Sequence, residues 1–128
     1  MALVIADTDV LIDFLAGKEP GMSAVTRELE RGGLVTTAIT WFELFAGNLN
    51  AKQKRIFDQL FEAVPVLSLD LDAADKAAGI HRMLLQRGEE IGMADSLIAG
   101  MVFRHGGTLL TRNRKHFERV PGLELASL

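Results

Sequence analysis

A chain of 128 residues with 48% hydrophobic and 24% charged residues is long enough for one domain and too short for two comfortable ones, and its apolar content excludes a disordered protein. A formal net charge of −3 excludes a protein that coats nucleic acid through its overall field, so any phosphate contact must be local. With no cysteine in the chain, disulfides, thiolate metal sites and thiol nucleophiles are ruled out, and a reducing, cytoplasmic setting is the expectation.

The start has no basic segment and its apolar run meets an acid at Asp7, so it reads as a buried strand, Leu3 to Ala6, and not as a signal peptide. Val10, Leu11, Ile12, Phe14 and Leu15 recur at helical spacing up to Gly17, and Lys18 to Gly21 is a turn. Ser23 to Arg31 reads as an amphipathic helix stopped by Gly32 and Gly33, and Leu34 to Ala38 as a second strand. Thr40 and Glu43 have the spacing of a capping box, which predicts a helix from Thr40 towards Gly47. Ala51 to Ala63 is charged on one face and apolar on the other; Val64 to Leu67 is a short strand. Asp70 or Asp72 caps a long helix through Leu85 that ends at Arg87 and Gly88, and the most apolar helix runs from Met93 to Phe103. Thr108 to Thr111 is a strand, Arg112 to Arg119 a basic segment, and Leu123 to Leu125 a last strand. No apolar stretch approaches the roughly 20 residues that span a bilayer, so no membrane association is expected.

Strands separated by helices pair in parallel through right-handed crossovers, which predicts a three-layer α/β/α sandwich with a mainly parallel central sheet. Such sheets bind ligands beyond the carboxyl ends of their strands. Asp7, Glu43, Asp95 and Asn113 all fall at such places, and three acids with an amide suit a hard divalent cation such as Mg²⁺. Each also has a plainer explanation. Asp7 or Asp9 caps a helix, Glu43 completes a capping box with Thr40, and Asn113 is a turn residue. Asp95 is harder to explain, because its helix is otherwise apolar and offers it no basic partner nearby in sequence.

Taken together, Leu3-Val4-Ile5-Ala6-Asp7-Thr8-Asp9-Val10-Leu11-Ile12-Asp13, Thr40-Trp41-Phe42-Glu43-Leu44, Met93-Ala94-Asp95-Ser96-Leu97 and Leu110-Thr111-Arg112-Asn113-Arg114-Lys115-His116-Phe117 resemble the PIN-domain family, and within it the VapC-type toxins. The resemblance implies an endoribonuclease that uses Mg²⁺ or Mn²⁺ on single-stranded or looped RNA, a cognate antitoxin protein and a homodimer. It also makes Asp7, Glu43 and Asp95 metal ligands. The family's fourth acid would fall at Asn113 or at His116, and neither is a carboxylate.

The chemistry suits the residues, since a metal held by carboxylates can activate water and stabilise charge on a phosphodiester without a protein nucleophile. Thr8, Ser96 and Thr111 offer hydroxyls beside the ligands, although Ser and Thr at helix starts are usually caps. Arg112, Arg114, Lys115, His116 and Arg119 crowd positive charge near the expected pocket as an RNA-backbone patch or as a solvated loop. His81, His105 and His116 have no zinc-type spacing. Trp41 and the phenylalanines fall mostly at core spacing, with apolar surface left around Phe42, Leu44 and Phe45 for self-association. Three other classes compete. Asp7-Thr8-Asp9 also resembles the start of haloacid-dehalogenase-type phosphatases, but Leu11 and the missing later motifs argue against them. A receiver domain lacks its mid-chain acceptor, because Asp58 lies on a charged helix face. A PIN-like binding module that has lost one ligand is favoured only by Asn113.

Overall fold

The computed structural model describes residues 2–128, and Met1 lies outside them. In chain order the elements are β1 (Val4–Ala6), α1 (Thr8–Ala16), α2 (Gly21–Arg31), β2 (Leu34–Thr37), α3 (Ala38–Phe45), α4 (Ala51–Ala63), β3 (Val66–Leu67), α5 (Leu71–Gln86), α6 (Met93–His105), β4 (Thr108–Leu110) and α7 (Arg114–Phe117). The strands form one sheet in the order β3-β2-β1-β4, with every pairing parallel. In the centre, β1 sets Val4 opposite Leu34 on one side and Thr108 on the other.

Successive strand residues point to opposite faces, so each apolar strand feeds two cores. Ala6, Leu34 and Leu110 pack with Val10, Val25, Phe57 and Leu60 from α1, α2 and α4. Ile5, Val35 and Leu109 pack with Leu84, Ile98, Val102 and Phe117 from α5, α6 and α7. Each fully buried side chain of this size stabilises by about 1.5–3 kcal/mol, and helices on both faces give the three-layer sandwich expected from the sequence. Helices α5 and α6 pack closely, and a Cβ on Gly100 would lie 2.6 Å from the Ala73 carbonyl oxygen. Only glycine permits that approach.

Several boundaries differ from expectation. Helix α2 starts at Gly21 rather than Ser23, and α3 at Ala38, because Thr37 and not Thr40 caps it by accepting the Thr40 N–H. Of the two candidates Asp70 caps α5, α6 runs on to His105, and β3 keeps only Val66–Leu67. The expected strand at Leu123 to Leu125 is a single bridge from Leu125 to Leu109, and part of the basic segment winds into α7.

Candidate active site

The carboxyl ends of β1 and β4 lie side by side and carry the first acid. Asp7 leaves β1 in an extended conformation and caps α1, one of its oxygens accepting the Thr8 N–H at 2.8 Å. Its other oxygen accepts the Thr111 hydroxyl at 2.8 Å, while its own backbone N–H donates to the Leu110 carbonyl at 2.9 Å. Asp9, on the first turn of α1, accepts the Arg112 N–H at 3.1 Å and lies 3.3 Å from the Thr111 hydroxyl. That hydroxyl has one proton, and the shorter contact to Asp7 takes it.

Glu43 reaches the same end from α3. It sits in the second turn of the helix, beyond capping range, so the capping box expected with Thr40 does not form. The Glu43 carboxylate turns to α1 instead and accepts the Thr8 hydroxyl at 2.7 Å. The buried Thr40 hydroxyl is 3.1 Å from that of Thr8, and since Thr8 gives its proton to Glu43, Thr40 is the donor between them.

Asp95, in the first turn of α6, completes the set from the far side of the sheet. Its Oδ2 accepts the Asn113 amide at 3.1 Å and lies 2.9 Å from His116 Nδ1, which is 3.0 Å from the same amide. His116 Nδ1 can point a proton at Asp95 or a lone pair at Asn113, not both at once. The buried Ser96 hydroxyl turns back to the Gly92 carbonyl at 2.7 Å and serves the helix start rather than the pocket.

The acids feel one another. Burial, reinforced by the Asp9 and Asp95 charges, pushes the Asp7 carboxyl up to about 7 against the lowering effect of its Thr111 and Thr8 hydrogen bonds. Burial also raises Asp9, opposed chiefly by the Arg112 N–H and guanidinium. Each carboxylate is held by a different donor. Among the described residues no three His, Asp or Glu side chains are drawn together tightly enough to enclose an ion. The donor set is nevertheless carboxylate oxygen on three sides, the chemistry a hard divalent ion selects.

The basic residues are less free than their sequence suggests. The Arg112 guanidinium pairs with Asp13 at 3.0 Å, Arg114 donates to the Ala126 carbonyl at 3.0 Å and Arg119 to the Glu90 carbonyl at 2.9 Å. Lys115 is exposed on α7 with no hydrogen-bond or ion-pair partner among the described residues. On α3, Phe42 is 70% exposed, Leu44 is buried in the core, and Trp41 packs on Phe45 and Phe61 with centroids 4.2 and 4.9 Å away. Leu44 therefore leaves the apolar surface expected there. Asp13 and the paired use of Asp9 gave no signal beyond an ordinary helix acid and a cap; Thr40 was visible only as a cap.

The chain is similar in sequence and in fold to known proteins. The family model described as PIN domain matches residues 4–123. Ribonuclease VapC1 of Methanocaldococcus jannaschii is 31% identical over 117 residues, covering 91% of this chain and 80% of that protein. The tRNA(fMet)-specific endonuclease VapC of Shigella flexneri is 27% identical over 121 residues, covering 91% of each. Among solved structures, VapBC2 from Rickettsia felis bound to a DNA fragment from their promoter superposes with a TM-score of 0.84 at 17% identity over 98% of both chains. DNA-bound VapBC from Salmonella typhimurium superposes equally well, with a TM-score of 0.84 at 23% identity over 98% of both.

Proposed function

The chain belongs to the PIN-domain family, and on that premise we propose that it is a divalent-metal-dependent endoribonuclease, the toxin of a toxin-antitoxin pair, that cuts single-stranded or looped RNA. The observation that carries the reading is the placement of Asp7, Glu43 and Asp95 from three separate elements at one end of the sheet. The names of the relatives, a ribonuclease and a tRNA endonuclease among them, support the substrate class.

In this reading Asp7, Glu43 and Asp95 would hold Mg²⁺ or Mn²⁺, which would act as a Lewis acid on a phosphodiester oxygen and lower the pKa of the attacking water. The chain's own groups do the arranging. Thr111 and Thr8 fix the Asp7 and Glu43 carboxylates, and Asn113 orients Asp95 without adding charge. Lys115, on the free side of α7, meets the RNA backbone. Its partners are an antitoxin, in keeping with the VapBC complexes it superposes on, and a second copy of itself. The setting is cytoplasmic; among the described residues no helix is long and apolar enough to cross a membrane.

A structureless labelled RNA incubated with Mg²⁺ or Mn²⁺ tests the reading. Internal cleavage that a chelator stops and that Asp95→Asn removes with the fold intact is the expected result; intact RNA under every metal condition overturns it. Intact RNA together with tight antitoxin binding would instead favour the binding-module reading, whose support is Asn113, an amide and not an acid, beside Asp95. Light scattering at tens of micromolar, roughly the range of a micromolar interface, reads the dimer.

A further inference from the structure

We infer that Asp13 and Arg112 form a positioning pair for the cleavage site, and that the Arg112 guanidinium is held by the protein rather than offered to RNA; the inference rests on the endoribonuclease reading above. Asp9 and Asp13 lie four residues apart on α1 and so share one helix face. Arg112 spans both. Its backbone N–H donates to the Asp9 carboxylate at 3.1 Å while its Nε pairs with Asp13 Oδ2 at 3.0 Å. Two like charges at this spacing repel, and one cation laid across them removes that cost.

Asp13 has little freedom to do anything else. Its side chain is 8% exposed, and the same Oδ2 accepts the Gly21 N–H at the start of α2 at 3.1 Å. A Cβ on Gly21 would fall 2.4 Å from the Asp13 Cβ, so glycine is what lets α2 dock on this carboxylate. A buried carboxylate needs a cationic or hydrogen-bonding partner on each open side, and Arg112 is the cation.

The consequence reaches the site through chain connectivity. The residue before Arg112 gives its hydroxyl to Asp7, and the residue after it gives its amide to Asp95. Clamping Arg112 on α1 thus sets the height of Thr111 and Asn113 together. Neither Asp13 nor the guanidinium touches the reacting atoms; they act through those two neighbours.

Steady-state RNA cleavage over a range of salt, with Asp13→Asn, Arg112→Ala, Arg112→Lys and the double variant, tests the pair. Displacement of positioned groups by an ångström costs up to about a hundredfold. The expected result is therefore a kcat lowered about ten- to a hundredfold in Asp13→Asn and Arg112→Ala, with KM and its salt dependence unchanged. The double variant should be no worse than the weaker single, and Arg112→Lys should recover part of kcat. If Arg112 instead contacts phosphate, Arg112→Ala raises KM and flattens the salt slope by about one while Asp13→Asn lowers KM; that pattern overturns the inference, as does an unchanged kcat. Should the wild type cleave no RNA at all, the endoribonuclease reading fails first, and NMR of the Asn113 side-chain amide decides the pair separately. Arg112→Ala, a change at a half-exposed side chain, should shift that resonance, and an unmoved resonance overturns the pair.

Discussion

The Thr111 hydroxyl donates to Asp7 Oδ2 across 2.8 Å, tying the end of β4 to the carboxylate at the end of β1 inside the protein. Thr111→Val keeps the shape and removes the donor. A buried carboxylate stripped of one partner costs about 1–3 kcal/mol, and the loss should be felt only when Asp7 is charged. Urea denaturation in chelator should therefore show a large deficit at a pH of about 8.5 and a small one at about 5. Equal deficits at both would mean that the hydroxyl stabilises the fold without reference to the charge.

The Asp7 carboxyl stands at about 7 against an ordinary value of 3.8. In the window between these values the folded metal-free protein holds a proton that the unfolded chain has released, so stability falls as pH rises through it and levels off above. At about 1.4 kcal/mol per pH unit the ceiling on this loss is about 4 kcal/mol. Asp7→Asn should abolish cleavage yet make the metal-free protein more stable than wild type above pH 7, with the advantage gone near pH 4. Denaturation curves at several pH values in chelator would show it, and a variant less stable than wild type at high pH would contradict it.

Asn113 donates to Asp95 at 3.1 Å. Asn113→Asp replaces a donor with a second acid at nearly constant volume, so the metal-free state should lose stability and divalent affinity should rise. Calorimetric titration of Mg²⁺ and Mn²⁺ compares the two proteins, with RNA cleavage at limiting metal followed in parallel. Unchanged affinity would place position 113 outside the metal's reach.

Gly100→Ala inserts a methyl 2.6 Å from the Ala73 carbonyl oxygen. Overpacking of this kind costs about 1–3 kcal/mol, and because the clash lies between α5 and α6, the deficit should appear equally with and without metal. A neutral result in thermal denaturation would show that the two helices can part without penalty.

Much of this was legible in the sequence because it depends on local pattern. Apolar strands ending in Asp7 and Thr111, and an apolar helix with a lone acid at Asp95, announce themselves by period and position. What escaped depends on the angle at which elements meet. Thr40 and Glu43 have capping-box spacing, yet Thr37, the last residue of β2, takes the cap, and the helix start moves so that Glu43 faces α1. The charge run after β4 looks like an RNA patch until Asp13, an unremarkable helix acid in the sequence, is found beneath Arg112. Asp95 lacks a partner within its own helix and finds one 18 residues away at Asn113. Long-range pairings of this kind leave no periodic trace.

The order of the strands also sets a clock. β1 is the first strand made and its partner β4 the last, and Asp7 is separated by 104 positions from the Thr111 that fastens it. At about 5–20 residues per second that interval is on the order of 5–20 s of synthesis. Throughout it the emerging chain carries Asp7 with an open sheet edge beside it and no donor from β4 in place. A message cut short anywhere before β4 yields acids without the frame that aligns them, so this geometry exists only in molecules whose synthesis has passed Thr111.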